Sequence, residues 1–200
     1  MAIVINGSGT VTGLAVGGLP DGTVDDGTLA SGIASSKLTG ALPAISGASL
    51  TGITSSQLPA GSVLQVVSSI FTTDYTTSST SLQDTGHTVN ITPKSSSSVL
   101  YLEWVGNISI NTITSMGVAF REGSTVIGGG TNSSGAFWYD GDNTANKHHN
   151  SSMMTTTASS GTSQRTFKIS IKIIHGSGTN GAKYQGDWGP LMLKITEVAA

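Results

Sequence analysis

The chain has 200 residues, of which 10% are charged, 27 are glycine and none is cysteine, and its formal net charge is −2. A charged fraction well below the usual quarter or so, beside abundant Gly, Ser and Thr, disfavours a helical globule and favours strands and turns. The near-neutral balance offers no basic face for nucleic acid, the missing cysteines exclude a disulfide framework, and no stretch nears the roughly 18 apolar residues of a membrane-crossing helix.

Residues 2–5 form a short β-prone run closing on the turn pair Asn6-Gly7, and residues 10–16 offer a second weak strand. Two such strands do not fold alone. Residues 1–18 therefore either anchor to another protein, with Ile3, Val4 and Ile5 as the attachment residues, or fray as a terminus. The start lacks the basic segment and apolar run of a signal peptide, and none is expected.

Residues 19–62 are too rich in Gly, Ser and Thr to build a core within one chain, yet single aliphatic residues punctuate them every three to five positions. A flexible linker shares the composition but has no use for the punctuation. Glycine does not recur every third residue, which excludes collagen, and the aliphatic spacing is not heptad, which disfavours a coiled coil. Residues 28–37 can form one short helix, weakened by Gly32, and Pro20, Pro43 and Pro59 favour extended neighbours. The expectation is an extended shaft in which identical chains lie side by side and turn Leu38, Leu42, Ile45, Leu50 and Ile53 towards a shared threefold axis.

The phrases INGSGT, GGLPDGTV and LTGALPAISGASLTGI, which fall in the first third of the chain, resemble the N-terminal attachment and shaft region of bacteriophage tail-fibre proteins. The remainder resembles, more loosely, the compact β-rich heads that end such fibres. The resemblance implies a homotrimeric virion fibre, bound at its N-terminus to a baseplate or tail structural protein and meeting a host-surface glycan or protein with its C-terminus.

From residue 63 onwards strand signals are strong. Candidate strands cover residues 62–72, 81–92, 97–111, 116–121 with a turn at Glu122-Gly123 into 125–127, then 166–175 and 190–198. In 97–111, Val99, Tyr101 and Val105 alternate with Leu100, Leu102 and Trp104, so both faces are apolar apart from Glu103; this predicts a central strand covered on two sides. In 166–175, Phe167, Ile169, Ile171 and Ile173 oppose Lys168, Ser170 and Lys172. Many short strands with polar turns indicate an all-β chain: residues 63–200 as an antiparallel, jelly-roll-like β-sandwich head. Trp188, beside Gly189-Pro190, is expected to staple the last strand.

The insert 128–164 is too long for a plain loop, so short strands are expected near 137–139 and 152–157. It combines aromatic bodies with amide and carboxylate tips, as glycan-binding surfaces do. The receptor-binding candidates are Trp138, Tyr139, Asp140, Asp142, Asn143, His148 and His149; strand alternation would put Phe137 and Tyr139 inward and Trp138 outward.

No catalytic signature emerges. Adjacent histidines on an extended chain point to opposite sides, so His148 and His149 do not ligate one metal from one chain, although three chains around an axis would supply three copies. Asp140-Gly141-Asp142-Asn143 lacks the spacing of an EF-hand loop, and no phosphate loop or nucleophile elbow occurs. No cofactor, metal or nucleic acid is expected. The leading reading is a non-enzymatic tail fibre in the virion. A capsid-decorating head fibre or cement protein is the alternative, and a polysaccharide depolymerase, which needs carboxylates such as Asp140, Asp142 and Asp187 to converge, is a third.

Overall fold

The computed structural model describes residues 4–5, 11–12, 52–110, 114–128, 136–140, 147–175, 182–185 and 189–200. The chain divides into two compact units, Met1–Thr51 and Gly52–Ala200. In the first, β1 (Val4–Ile5) pairs antiparallel with β2 (Val11–Thr12), Val4 opposite Thr12 and Ile5 opposite Val11. Ile3, the segment 28–37 and the axial candidates Leu38, Leu42, Ile45 and Leu50 lie outside the described residues; Ile53, in the second unit, is exposed.

The second unit is all-β, with two antiparallel sheets and, among the described residues, one 3-10 turn at Ser55–Gln57. Its strands are β3 (Val63–Phe71), β4 (Tyr75–Thr77), β5 (Gln83–Ile91), β6 (Val99–Ile110), β7 (Thr114–Glu122), β8 (Thr125–Ile127), β9 (Ala136–Asp140), β10 (Lys147–Ala158), β11 (Arg165–His175), β12 (Ala182–Gln185) and β13 (Leu191–Val198). The first sheet runs β3-β13-β6-β12-β4, with β10 also paired to β6; the second runs β5-β11-β7-β8, with β9 also paired to β7. β4 and β12 are short and polar, and carry too little alternation to be foreseen.

β6 is the hub of the first sheet. β10 pairs along its whole length on one edge. On the other, β13 covers Val99–Val105 and β12 takes over from Asn107 to Ile110. Gly106 falls at that handover, where a Cβ would lie 2.4 Å from Leu191 Cδ2, so only glycine lets the start of β13 approach.

One core joins the two sheets. From the first come Leu100, Leu102, Trp104, Leu191, Leu193 and Ile195, and from the second Val89, Met116, Val118, Phe120, Phe167, Ile169 and Ile171. The periodicities of residues 166–175 and 190–198 thus face inward as expected. The β7–β8 hairpin also forms as expected: Gly123 at φ +57 occupies the first central position of a two-residue turn, which suits a type II′ geometry. The expectation that β6 is covered on two sides needs correction. Leu100, Leu102 and Trp104 are sealed, but Tyr101 and Val105 on the opposite face are exposed, because no strand of the described chain lies over them.

Near the end of the chain, Glu197 is fully buried. Its Oε1 accepts from the backbone N–H groups of Lys94 (2.8 Å) and Ser95 (3.1 Å) and from Ser98 Oγ (2.6 Å), while Oε2 accepts from Gln65 Nε2 (2.6 Å). One carboxylate thereby ties β13 to β3 and to the β5–β6 turn. Burial alone would push this carboxyl up; the donors from Ser98, Gln65, Lys94 and Ser95 outweigh it and hold it below the ordinary glutamate value of 4.5. Because the folded value is depressed, the stabilisation is complete above that ordinary value and is lost as pH falls through the lower, folded one.

Glu197→Ala strands several buried donors and is expected to cost about 3 kcal/mol, with Glu197→Gln costing less, in urea unfolding at neutral pH. The gap between Glu197→Gln and the native chain is expected to narrow on acidification below the ordinary glutamate range.

Candidate recognition surface

Of the predicted receptor-binding residues, Trp138, Tyr139 and Asp140 fall on a strand of the second sheet and His148 and His149 on a strand of the first. β9 runs along β7 in the second sheet, with Trp138 opposite Met116, Tyr139 opposite Ser115 and Asp140 opposite Thr114. β10 then begins in the first sheet, with His148 opposite Ser109 and His149 opposite Ile108. Asp142, Asn143, Asp187 and Trp188, and the side chains of β9, lie outside the described residues. The histidine pair divides as an extended chain requires: His148 is exposed and His149 half-buried. Among the described residues no group of three or more His, Cys, Asp or Glu is placed to hold a metal ion, and no helix is long and apolar enough to cross a membrane.

The carboxylates of the described sheets are engaged in structural pairs. Asp84 on β5 accepts from Ser170 Oγ (2.6 Å), Lys168 Nζ (2.5 Å) and Arg121 Nη1 (2.9 Å). Partial burial would raise its carboxyl, but the hydrogen bonds from Lys168 and Ser170 and the charges of Lys168 and Arg121 lower it. This cluster explains why Ser170, on the lysine-bearing side of β11, is buried. Glu122 takes the fork of Arg165 through Nε (2.8 Å) and Nη2 (2.7 Å), and that bond holds its carboxyl low against the opposing effect of burial. Arg165 also donates through Nη1 to the carbonyls of Ala158 and Ser159 and lies 4.8 Å from the Phe167 ring centroid. The open depression here, about 410 Å³ and lined by Glu122, Ser160 and Arg165, thus presents a cation already committed to its own chain. Glu103 pairs with Lys194.

The two outer faces differ in chemistry. On the second sheet β5 presents Asp84, Gly86, Thr88 and Asn90 to solvent, and Thr166 Oγ1 donates to Asn90 Oδ1 at 2.7 Å. On the first sheet, register aligns four rows across β3, β13, β6 and β10: Val63–Val198–Val99–Ala158, Val66–Thr196–Tyr101–Thr156, Ser68–Lys194–Glu103–Met154 and Ile70–Met192–Val105–Ser152. Relative exposures of 54% for Val66, 66% for Ile70, 38% for Tyr101, 46% for Val105 and 68% for Met154 make this a flat apolar surface. Reading the insert for recognition chemistry missed it. Its signal was the doubly apolar β6, together with Val66 and Ile70 four residues apart on β3.

A second polar link between the sheets, besides that of Arg165 to Ala158, lies at His87. His87, on the core side of β5, is buried; its ring stacks on Phe71 of β3 at 4.3 Å and 12°, and Nε2 shares a hydrogen bond of 2.9 Å with the Thr73 hydroxyl. Gly86, at φ +83, forms the bulge that delivers it, and the Thr85 hydroxyl donates to the Ile169 carbonyl across the bulge (2.9 Å). Burial lowers the His87 pKa from its ordinary 6.5.

No protein-family model matches the chain, and neither does any curated protein.

Because the fold holds His87 neutral while the unfolded chain takes up a proton, stability is full above about pH 6.5 and falls as pH drops below it. Thermal unfolding of His87→Phe, which keeps a stacked ring, is expected to show a flatter pH dependence between pH ~6.5 and ~5 than the native chain, with the carboxylate-driven loss at lower pH retained.

Proposed function

We propose that the chain is a non-catalytic, homotrimeric tail-fibre protein of a bacteriophage virion. Residues 1–18 attach to a baseplate or tail structural protein, and residues 19–62 form the threefold shaft. Residues 63–200 form a jelly-roll-like sandwich head whose loops bind a host-surface glycan. The observation that carries this reading is the punctuated stretch: aliphatic residues every three to five positions in a Gly/Ser/Thr chain are buried only when copies share an axis. The resemblance of INGSGT, GGLPDGTV and LTGALPAISGASLTGI to fibre attachment and shaft sequences points the same way. Two antiparallel sheets sharing one core are what a sandwich head requires. The insert carries Trp138, Tyr139, His148 and His149, the aromatic and polar groups a sugar surface selects.

Immunogold labelling of intact particles is expected to mark the tail; label confined to the capsid would replace the fibre reading with that of a decorating protein. Trp138→Ala is expected to lower host adsorption by roughly tenfold or more, as loss of a central aromatic anchor does, with mass in solution unchanged. Adsorption equal to that of the native particle would remove Trp138 from the receptor site.

A further inference from the structure

We infer that the outer face of the first sheet is the contact between copies of this chain. This deepens the trimeric reading above and rests on it only for the number of copies.

β6 carries two apolar faces, and its own fold seals one. The other exposes Tyr101 and Val105, and β3 and β10 extend it with Val66, Ile70 and Met154. Together these five expose on the order of 500 Å² of side chain, near the top of the range for the largest patch on a monomer. That is also about the apolar share of an interface of roughly 800 Å² per partner.

Charge selects the occupant. The ionic side chains of the four aligned rows are Lys194 and Glu103, which pair with each other at the centre. The rows are therefore neutral, so copies approach without like-charge repulsion, and the lysine of one can exchange carboxylates with its neighbour. An anionic or cationic partner finds no net complement there. Asn107 and Asn150, opposite one another beyond Val105, give the polar rim that such a contact needs. The other end is continuous with the incoming chain: Gly61 N–H donates to the Ala199 carbonyl and Ala199 N–H to that of Ser62, extending the β3–β13 ladder. The exposed aliphatics Ile53 and Leu58 precede this face along the chain, and Val63 begins it.

The test is the mass of the full chain by sedimentation equilibrium at micromolar concentration, native and with Ile70→Lys and Val105→Lys combined. Both positions are exposed in the single chain, so far-UV circular dichroism is expected to be unchanged. Thr88→Lys with Asn90→Lys, on the outer face of the second sheet, is the control. The native chain and the control are expected to be trimers, and the Ile70/Val105 variant to dissociate with a constant raised at least a hundredfold. A native monomer, or a folded Ile70/Val105 variant of unchanged mass, would overturn the inference. A native dimer dispersed by the variant would uphold the face while removing the trimer. Should the double variant misfold, Tyr101→Cys decides, since the chain has no other thiol. Its labelling is expected to slow as protein concentration rises, whereas that of Thr88→Cys stays constant; equal behaviour would overturn the inference.

Discussion

The second unit depends on the two-sided character of β6. Strand alternation forces Leu100, Leu102 and Trp104 to one face and Tyr101, Glu103 and Val105 to the other, and no rotation of the strand buries both within a two-sheet unit. The second sheet covers the first set, and the strand's edges are used by β10 on one side and by β13 and β12 on the other. Gly106 marks where that edge changes hands, and β10 runs the full length opposite. The remaining strands of the first sheet take their register directly or indirectly from this one, so the apolar rows on its outer face are a consequence of the core on its inner face.

Two polar groups, Glu197 and His87, enter the interior where donors or acceptors meet them. Glu197 is buried as a carboxylate because two backbone N–H groups, a serine hydroxyl and a glutamine amide replace water around it. His87 is buried neutral, with a hydroxyl at Nε2 and a ring against its face. The two sites pin β3 at different places, Gln65 and Phe71. Ordering this strand matters more than the modest net gain of each hydrogen bond, because β3 is an edge strand with only β13 beside it.

Much of this fold is legible in the sequence. Residues 166–175 and 190–198 alternate cleanly and become β11 and β13; Glu122-Gly123 becomes the hairpin turn; the insert contains strands near 137–139 and 152–157, the second lengthened to Lys147–Ala158 by pairing with β6. What was not legible has specific causes. β4 and β12 are too short and polar to signal themselves and exist through their neighbours. The bulge at Gly86 and the burial of Ser170 come from the cross-strand partners of Asp84, which lie 37 to 86 residues away. Composition groups Trp138, Tyr139, His148 and His149 in one insert, but strand pairing, which composition does not encode, assigns the first two to the second sheet and the last two to the first.

The contrast between the outer faces makes the second unit two-sided. Polar residues and the Asp84 ion-pair cluster give the second sheet a face that remains stable in water, since its charges are satisfied laterally and its threonines and asparagines are readily hydrated. The first sheet has the opposite economy: its central ion pair is internal and the residues around it gain by leaving water. If copies meet through the first sheet, as proposed above, burial of these residues turns the polar face of the second sheet outward without any directional bond.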